Sequence, residues 1–157
     1  KRSDVTTGLL LTPWPIATMI IAPLAGRLVE RIHAGILGSI GMTIFAIGLF
    51  LLAVLPSNPT NMDIIWRLFI CGSGFGLFQT PNNSTIISSA PSNRSGGASG
   101  MLGTARLLGQ TLGATQVAMI FYLVPINSSQ TCLYLATGFA AVAAIVSCLR
   151  ISQPHPL

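Results

Sequence analysis

GILGSIGMTIFAIGLFLLAVL, residues Gly35–Leu55, decides the fold. It contains no Asp, Glu, Lys, Arg or His. As a helix rising 1.5 Å per residue it is long enough to cross a hydrocarbon layer about 30 Å thick. Four further stretches read the same way: roughly Val5–Leu28, Ile64–Ser89, Gly97–Val124 and Thr131–Arg150. Polar and helix-breaking residues collect between them, at Val29–Ala34, Pro56–Asp63, Ala90–Gly96 and Pro125–Gln130, and residues 151–157 form a tail. Because these connections are short, consecutive helices are expected to be antiparallel neighbours. The chain therefore reads as all-α, a polytopic bundle of five transmembrane helices whose solvent is the lipid bilayer.

Composition agrees. Of 157 residues, 51% are hydrophobic and only 7% charged, against roughly 25% charged in a soluble domain. Eight basic and three acidic residues are spread thinly, with no basic run or aromatic-studded basic face, so nucleic-acid binding is not expected. The basic residues instead suggest an orientation. With the loop after the first span in the cytoplasm, Arg27, Arg31, Arg94 and Arg150 lie inside, while Lys1, Arg2 and Arg67 lie outside. Lys1-Arg2 before an apolar stretch mimics a secretory signal peptide, but the stretch is too long and more spans follow. The chain does not begin with Met and is expected to be part of a longer protein. Cys71, Cys132 and Cys148 sit inside apolar runs without metal-type spacing, so packing thiols are expected, with no metal and no cofactor.

Polar residues within the spans carry the functional signal. Arg106 lies about ten residues into the fourth span, near ~15 Å depth, where a guanidinium costs at least ~2.5–3.5 kcal/mol and must face the bundle interior or a wet path. Ser99, Gly103, Gln110 and Gly113 share its stripe, opposite Leu108 and Leu112. Two roles fit: lining or gating a cavity, or tying backbone carbonyls of a neighbouring helix. The third span holds Gln79-Thr-Pro-Asn-Asn-Ser-Thr85, whose amides need partners in hydrocarbon, while Pro81 removes a donor. Gln79, Asn82 and Asn83 thus belong either to a hydrogen-bonded knot or to a solute path. Trp14, between Pro13 and Pro15, is too deep for an interfacial belt; it packs the core or stacks on a flat or cationic ligand. Gly72/Gly76, Gly96/Gly100 and Gly109/Gly113 place small residues one turn apart and are expected to let helix backbones approach.

Enzymatic readings fail on their chemistry. Gly97-Ala-Ser-Gly100 is similar to the serine motif of rhomboid intramembrane proteases, which needs a histidine base within reach. The two histidines are His33, in a loop, and His155, in the tail. Asn58-Pro-Thr60 is a loop tripeptide without the second copy of a water channel, and Gly72-x-Gly-x-Gly76 has neither the strand nor the spacing of a dinucleotide site. No enzyme is expected.

Three stretches carry a family resemblance: Gly8-Leu-Leu-Leu-Thr-Pro-Trp-Pro15 running into Ala22-Pro-Leu-Ala-Gly26; Cys71-Gly-Ser-Gly-Phe-Gly-Leu-Phe-Gln-Thr-Pro-Asn-Asn83; and Ser95-Gly-Gly-Ala-Ser-Gly100 with Arg106-Leu-Leu-Gly-Gln-Thr-Leu-Gly113. Together they resemble the major facilitator superfamily, in its fourteen-helix drug:proton antiporter branch of quaternary-ammonium and methyl-viologen efflux type. The resemblance implies that residues 1–157 are the last five helices, a partial C-terminal half of that fold. Gly26-Arg-Leu-Val-Glu30-Arg31 resembles the superfamily's cytoplasmic loop motif, with Glu30 where Asp is usual and His33 where Gly is usual. It implies close helix contact at Gly26 and ion pairing by Glu30 and Arg31 at the inner face.

The function so implied is proton-coupled multidrug efflux of cationic or amphipathic compounds across a bacterial inner membrane. Small-molecule drugs, protons, lipid and the missing N-terminal helices of the same transporter are the expected partners. Trp14, Gln79, Asn82, Asn83, Arg106 and Gln110 are the candidate path residues. Asp4, Glu30 and Asp63, the only acids, lie at helix ends, so the proton carrier is expected on helices outside this chain, and the chain alone is expected to be inactive. The alternative is a non-transport membrane interaction or assembly module whose polar residues are all structural.

Overall fold

The computed structural model describes residues 4–56, 58–91 and 94–149. Lys1, Arg2, Arg150, His155 and the rest of the tail, together with the Asp4 side chain, lie outside the described residues, so their part in the orientation stays an expectation. In chain order the helices are α1 Asp4–Leu11, α2 Pro13–Val29, α3 Ala34–Ala53, α4 Asn61–Ser88, α5 Ser95–Leu123 and α6 Ser128–Leu149. Among the described residues there is no strand.

The first apolar stretch, expected as one helix, runs as one span over Val5–Val29, with its hydrogen-bond pattern interrupted at Thr12 between α1 and α2 while the Thr12 backbone stays helical at φ -58° and ψ -33°. Pro13 and Pro15 have no N–H to donate. The chain tightens there, with the Thr12 amide donating to Leu9 O at 3.2 Å and its hydroxyl to Gly8 O at 3.3 Å. Three stretches are long and apolar enough to cross a membrane by composition alone: Val5–Val29, Ala34–Ala53 and Ser128–Leu149. Of the five expected spans these are the three that composition alone identifies. α4 and α5 have the length, but the Gln79–Thr85 cluster dilutes one and Arg106 with its Gly, Thr and Gln neighbours dilutes the other. α4 lies parallel to α2 and in register with it, from Gly72 beside Trp14 to Thr80 beside Gly26. A membrane crossed by α2 is therefore crossed by α4.

α3 is the central helix, packed antiparallel against α4 on one side and α6 on the other. Its contacts are made by the smallest residues. A Cβ at Gly41 would meet Phe78 N at 2.6 Å and Gly74 O at 2.9 Å, and one at Gly48 would meet Cys71 Sγ at 2.6 Å. Close backbone approach of this kind is the main source of helix association in lipid, where apolar burial drives nothing. The buried core is correspondingly small-residued, with Ala17, Ala25, Ala46, Ala53, Cys71 and Ala140 beside Leu37 and Leu49. Large apolar side chains point outward instead, among them Ile20, Ile40, Ile47, Val142 and Ile145, the distribution of a lipid-facing surface.

Hydroxyls in the helices are satisfied locally. Ser39, Thr43, Ser73, Thr85, Thr111 and Thr137 each donate to the carbonyl four residues earlier, which hides them from hydrocarbon at little cost to the helix. Other hydroxyls bridge helices. Thr18 Oγ1 donates to Gly72 O at 3.1 Å, and Ser147 Oγ to Gly35 O at 3.4 Å.

Helix ends follow their capping residues. His33 Nδ1 accepts from Gly35 N at 3.2 Å at the start of α3. At the start of α4, Thr60 and Asp63 form a reciprocal capping box,, and the Thr60 hydrogen bonds hold the Asp63 carboxyl below its ordinary value of 3.8. One turn later the Arg67 guanidinium lies 4.9 Å from the Trp66 ring centroid. Its Nε and Nη1 are buried and find no hydrogen-bond partner among the described residues. Between α5 and α6 the chain reverses through Asn127 at φ 64°, a left-handed conformation that asparagine tolerates.

Candidate functional site

α5 stands apart from the packed unit. None of its residues is buried, and it touches α4 and α6 only lightly. Its displacement opens a cleft of about 230 Å³ against α4, lined by Phe75, Phe78, Gln79, Asn82, Asn83, Leu102, Ala105 and Arg106. Four residues singled out from the sequence, Gln79, Asn82, Asn83 and Arg106, are thus brought together from two helices.

The α4 side of the cleft is one stripe. Phe75, Phe78, Gln79 and Asn82 fall at the three- and four-residue intervals that align side chains on a helix face. Thr80 and Gly76 face α2 instead, so packing and cleft use different faces of α4. Pro81 is buried and has no N–H, which leaves the Leu77 carbonyl without its helical donor on the side of α4 that faces Gly41 of α3,. Phe75 is held from behind by Trp14 and Phe45, with ring centroids 6.1 and 5.8 Å away. The aromatic wall is therefore braced.

The remaining candidates are placed elsewhere. Trp14 packs edge-on against Phe45 at 5.6 Å and belongs to the core between α2, α3 and α4 rather than to the cleft. Gln110 shares a stripe with Arg106, but no cleft residue comes from beyond Arg106 on α5. Further along, α5 faces α6 across a smaller, mostly apolar hollow of about 140 Å³ that includes Gly113 and Gln116. Gln110 falls between the two.

Gly72 and Gly76 make the expected close approach. A Cβ on Gly72 would run into the Trp14 carbonyl, and one on Gly76 would meet Thr18 Cα at 3.3 Å. Gly96, Gly100, Gly109 and Gly113 meet nothing within 4 Å, so the packing expected of them is not supplied within the described residues. Gly26 lies 3.9 Å from Thr80 by the same measure, in ordinary contact. Glu30 and Arg31 are exposed at the end of α2, and among the described residues neither closes the expected ion pair.

Phe75, Phe78, Leu102 and Ala105 were not singled out from the sequence. The signal was available. Phe75 and Phe78 precede Gln79 and Asn82 on one helical stripe, and Leu102 and Ala105 lie one turn and one residue before Arg106. Among the described residues no group of three or more His, Cys, Asp or Glu could hold a metal. The cleft has amide donors and acceptors, one fixed cation, two aromatic rings and no nucleophile–base pair.

Comparison with known proteins gives the cleft its setting. The model of the Major Facilitator Superfamily matches residues 3–114, which takes in α2 to α4 and the part of α5 that lines the cleft. An uncharacterized transporter of Escherichia coli, YebQ, is 60% identical over 154 residues, covering 98% of this chain and 34% of that protein. Multidrug resistance protein Stp of Mycobacterium tuberculosis is 34% identical over 107 residues, 68% of this chain and 20% of its own. Riboflavin transporter RibZ of Clostridioides difficile is 30% identical over 119 residues, 76% of this chain and 26% of its own. The chain thus spans about a third or less of the length of these relatives. No solved structure matches it.

Proposed function

Because this chain belongs to the Major Facilitator Superfamily, we propose that it supplies one wall of the solute path in a proton-coupled multidrug exporter of a bacterial inner membrane. The observation that supports this most directly is the convergence of Gln79, Asn82, Asn83 and Arg106 on one cleft between two helices. Polar groups at such depth are costly unless they serve a path or a partner. Relatives named for multidrug resistance and for riboflavin transport favour flat or amphipathic organic solutes. In the proposed mechanism two helical bundles rock about a midplane site and exchange proton entry for solute exit. Upstream helices supply the titratable carboxylate and the opposite wall, and the chain by itself is inactive. It has no catalytic role.

The test uses the longer protein in proteoliposomes. An imposed pH gradient should drive uphill movement of a fluorescent amphipathic dye, a protonophore should abolish it, and Arg106→Ala should reduce it at least tenfold at normal expression. Dye movement insensitive to the protonophore would remove proton coupling. Normal transport by Arg106→Ala would reduce that residue to packing. Vesicles containing only residues 1–157 should move no dye, and transport by them would overturn the claim that a second wall is required.

A further inference from the structure

The cleft between α4 and α5 has a charge sign, and it is positive. Arg106 is the one ionisable group among its lining residues. Of the acids with described side chains, Asp63 caps the start of α4, about 24 Å along the helix from Gln79 at 1.5 Å per residue. Glu30 is exposed at the end of α2 and does not line the cleft. Bare aromatic faces attract cations, but here the Arg106 guanidinium of α5 lines the same cleft as Phe75 and Phe78 of α4 and repels a second positive charge. The same guanidinium presents a planar fork of N–H donors that fits a carboxylate in two parallel bonds. Gln79, Asn82 and Asn83 add amide N–H groups on the facing helix, and the braced ring of Phe75 offers an apolar plane beside them.

We propose that this cleft is the subsite for the carboxylate-bearing end of a flat aromatic solute, with Arg106 as the residue that sets its charge preference. Resting on the transport reading above, the proposal deepens it, since this wall takes the acidic pole of an amphipathic solute and leaves any cationic pole to the opposite wall. A cleft of about 230 Å³ is smaller than the roughly 300–1,000 Å³ of a complete small-molecule site, as befits one end of a solute. It is larger than the roughly 150 Å³ cavity that holds a benzene ring, which leaves room for a ring and a carboxylate together.

Two probes of one shape and opposite charge decide the matter: anthracene-9-carboxylate and 9-anthracenylmethylammonium. Binding of each to the detergent-purified longer protein is measured at equilibrium by fluorescence, and transport of each is measured separately in proteoliposomes. The carboxylate should bind at least tenfold more tightly than the ammonium. Arg106→Gln should weaken the carboxylate tenfold or more and leave the ammonium within twofold or improve it, and Arg106→Lys should recover part of the loss. Unchanged binding of the carboxylate in Arg106→Gln overturns the proposal. So does an equal loss of both probes in Arg106→Gln, the result expected if the guanidinium instead pairs with a carboxylate of an upstream helix. If the unmodified protein transports neither probe while binding the carboxylate selectively, the transport reading fails and the subsite stands.

Discussion

Replacing Gly72 by alanine tests the packing that holds α2 to α4. The new Cβ would strike the Trp14 carbonyl and lie 2.9 Å from Ala17 Cβ and 3.0 Å from Trp14 Cα. Two of these atoms are backbone, so no rotamer change relieves them and the helices must separate. Overpacking of this kind costs about 1–3 kcal/mol, and a rigid backbone neighbour puts Gly72 at the upper end. Separation also stretches the 3.1 Å bond from Thr18 Oγ1 to Gly72 O, worth about 0.6 kcal/mol in a membrane protein. Alanine's better helix propensity returns about 1 kcal/mol. The net loss is about 2–3 kcal/mol, roughly 30- to 150-fold in the folding equilibrium. Steric-trapping measurements in bicelles read this directly. Gly109→Ala is the control, because its Cβ meets nothing within 4 Å; in the isolated chain it should be neutral or stabilising by up to about 1 kcal/mol. A Gly72→Ala protein as stable as the parent would refute close backbone contact between α2 and α4.

Three other outcomes follow from particular contacts. Gly74→Ala would collide with the backbone of Phe45 and Gly41, whereas the nearest atom to a Cβ at Gly38 is the rotatable Ser147 hydroxyl at 2.8 Å, so Gly74→Ala should destabilise far more than Gly38→Ala, and equal losses in the same trapping assay would count against the α3–α4 seam. Asp63 has a lowered pKa in the folded chain; its capping contribution is therefore fully present above the unfolded value and lost as pH falls through the lower folded one, so carbon-detected NMR should place its midpoint below 3.8, and Thr60→Ala should raise that midpoint and weaken the start of α4 by about 1 kcal/mol. Arg67→Met removes two buried, unpartnered donors while keeping the stem, and the isolated chain should tolerate it or gain up to about 2 kcal/mol; a large loss on denaturant titration would mean that stacking on Trp66 outweighs the unsatisfied nitrogens.

What could be read from the chain differs by helix for physical reasons. α3 is legible because Gly35–Leu55 is apolar on every face, so hydrophobic length alone fixes its existence. The interrupted hydrogen-bond pattern at Thr12 is implicit in Pro13 and Pro15, while the apolar count rightly runs through it as one span, because proline costs hydrogen bonds rather than hydrophobicity. Gly72 and Gly76 announce a contact, and α2 provides it. Gly41 and Gly48 do as much against α4 but stand seven residues apart, two turns, outside the four-residue spacing that draws attention. The cleft was half legible. Polar residues in an apolar run advertise themselves by their cost, whereas Phe75, Phe78, Leu102 and Ala105 look like any other membrane residues until a second helix is set against them. Gln110 and Arg106 share a stripe, but how far a neighbouring helix accompanies that stripe is a tertiary fact.

The limited apolarity of α4 and α5 bears on how the protein is made. Helices emerge from the ribosome in order, and each must leave the translocon for lipid or for protein already there. α3 can partition by itself, whereas α4, with its run of amides, needs a surface to lean on, and the glycine seam of the helices just before it is that surface. Packing of this kind leads one to expect that α2 and α3 template the insertion of α4. Damage to the seam should appear first in living cells as chains degraded during biogenesis, before any matured protein shows a defect.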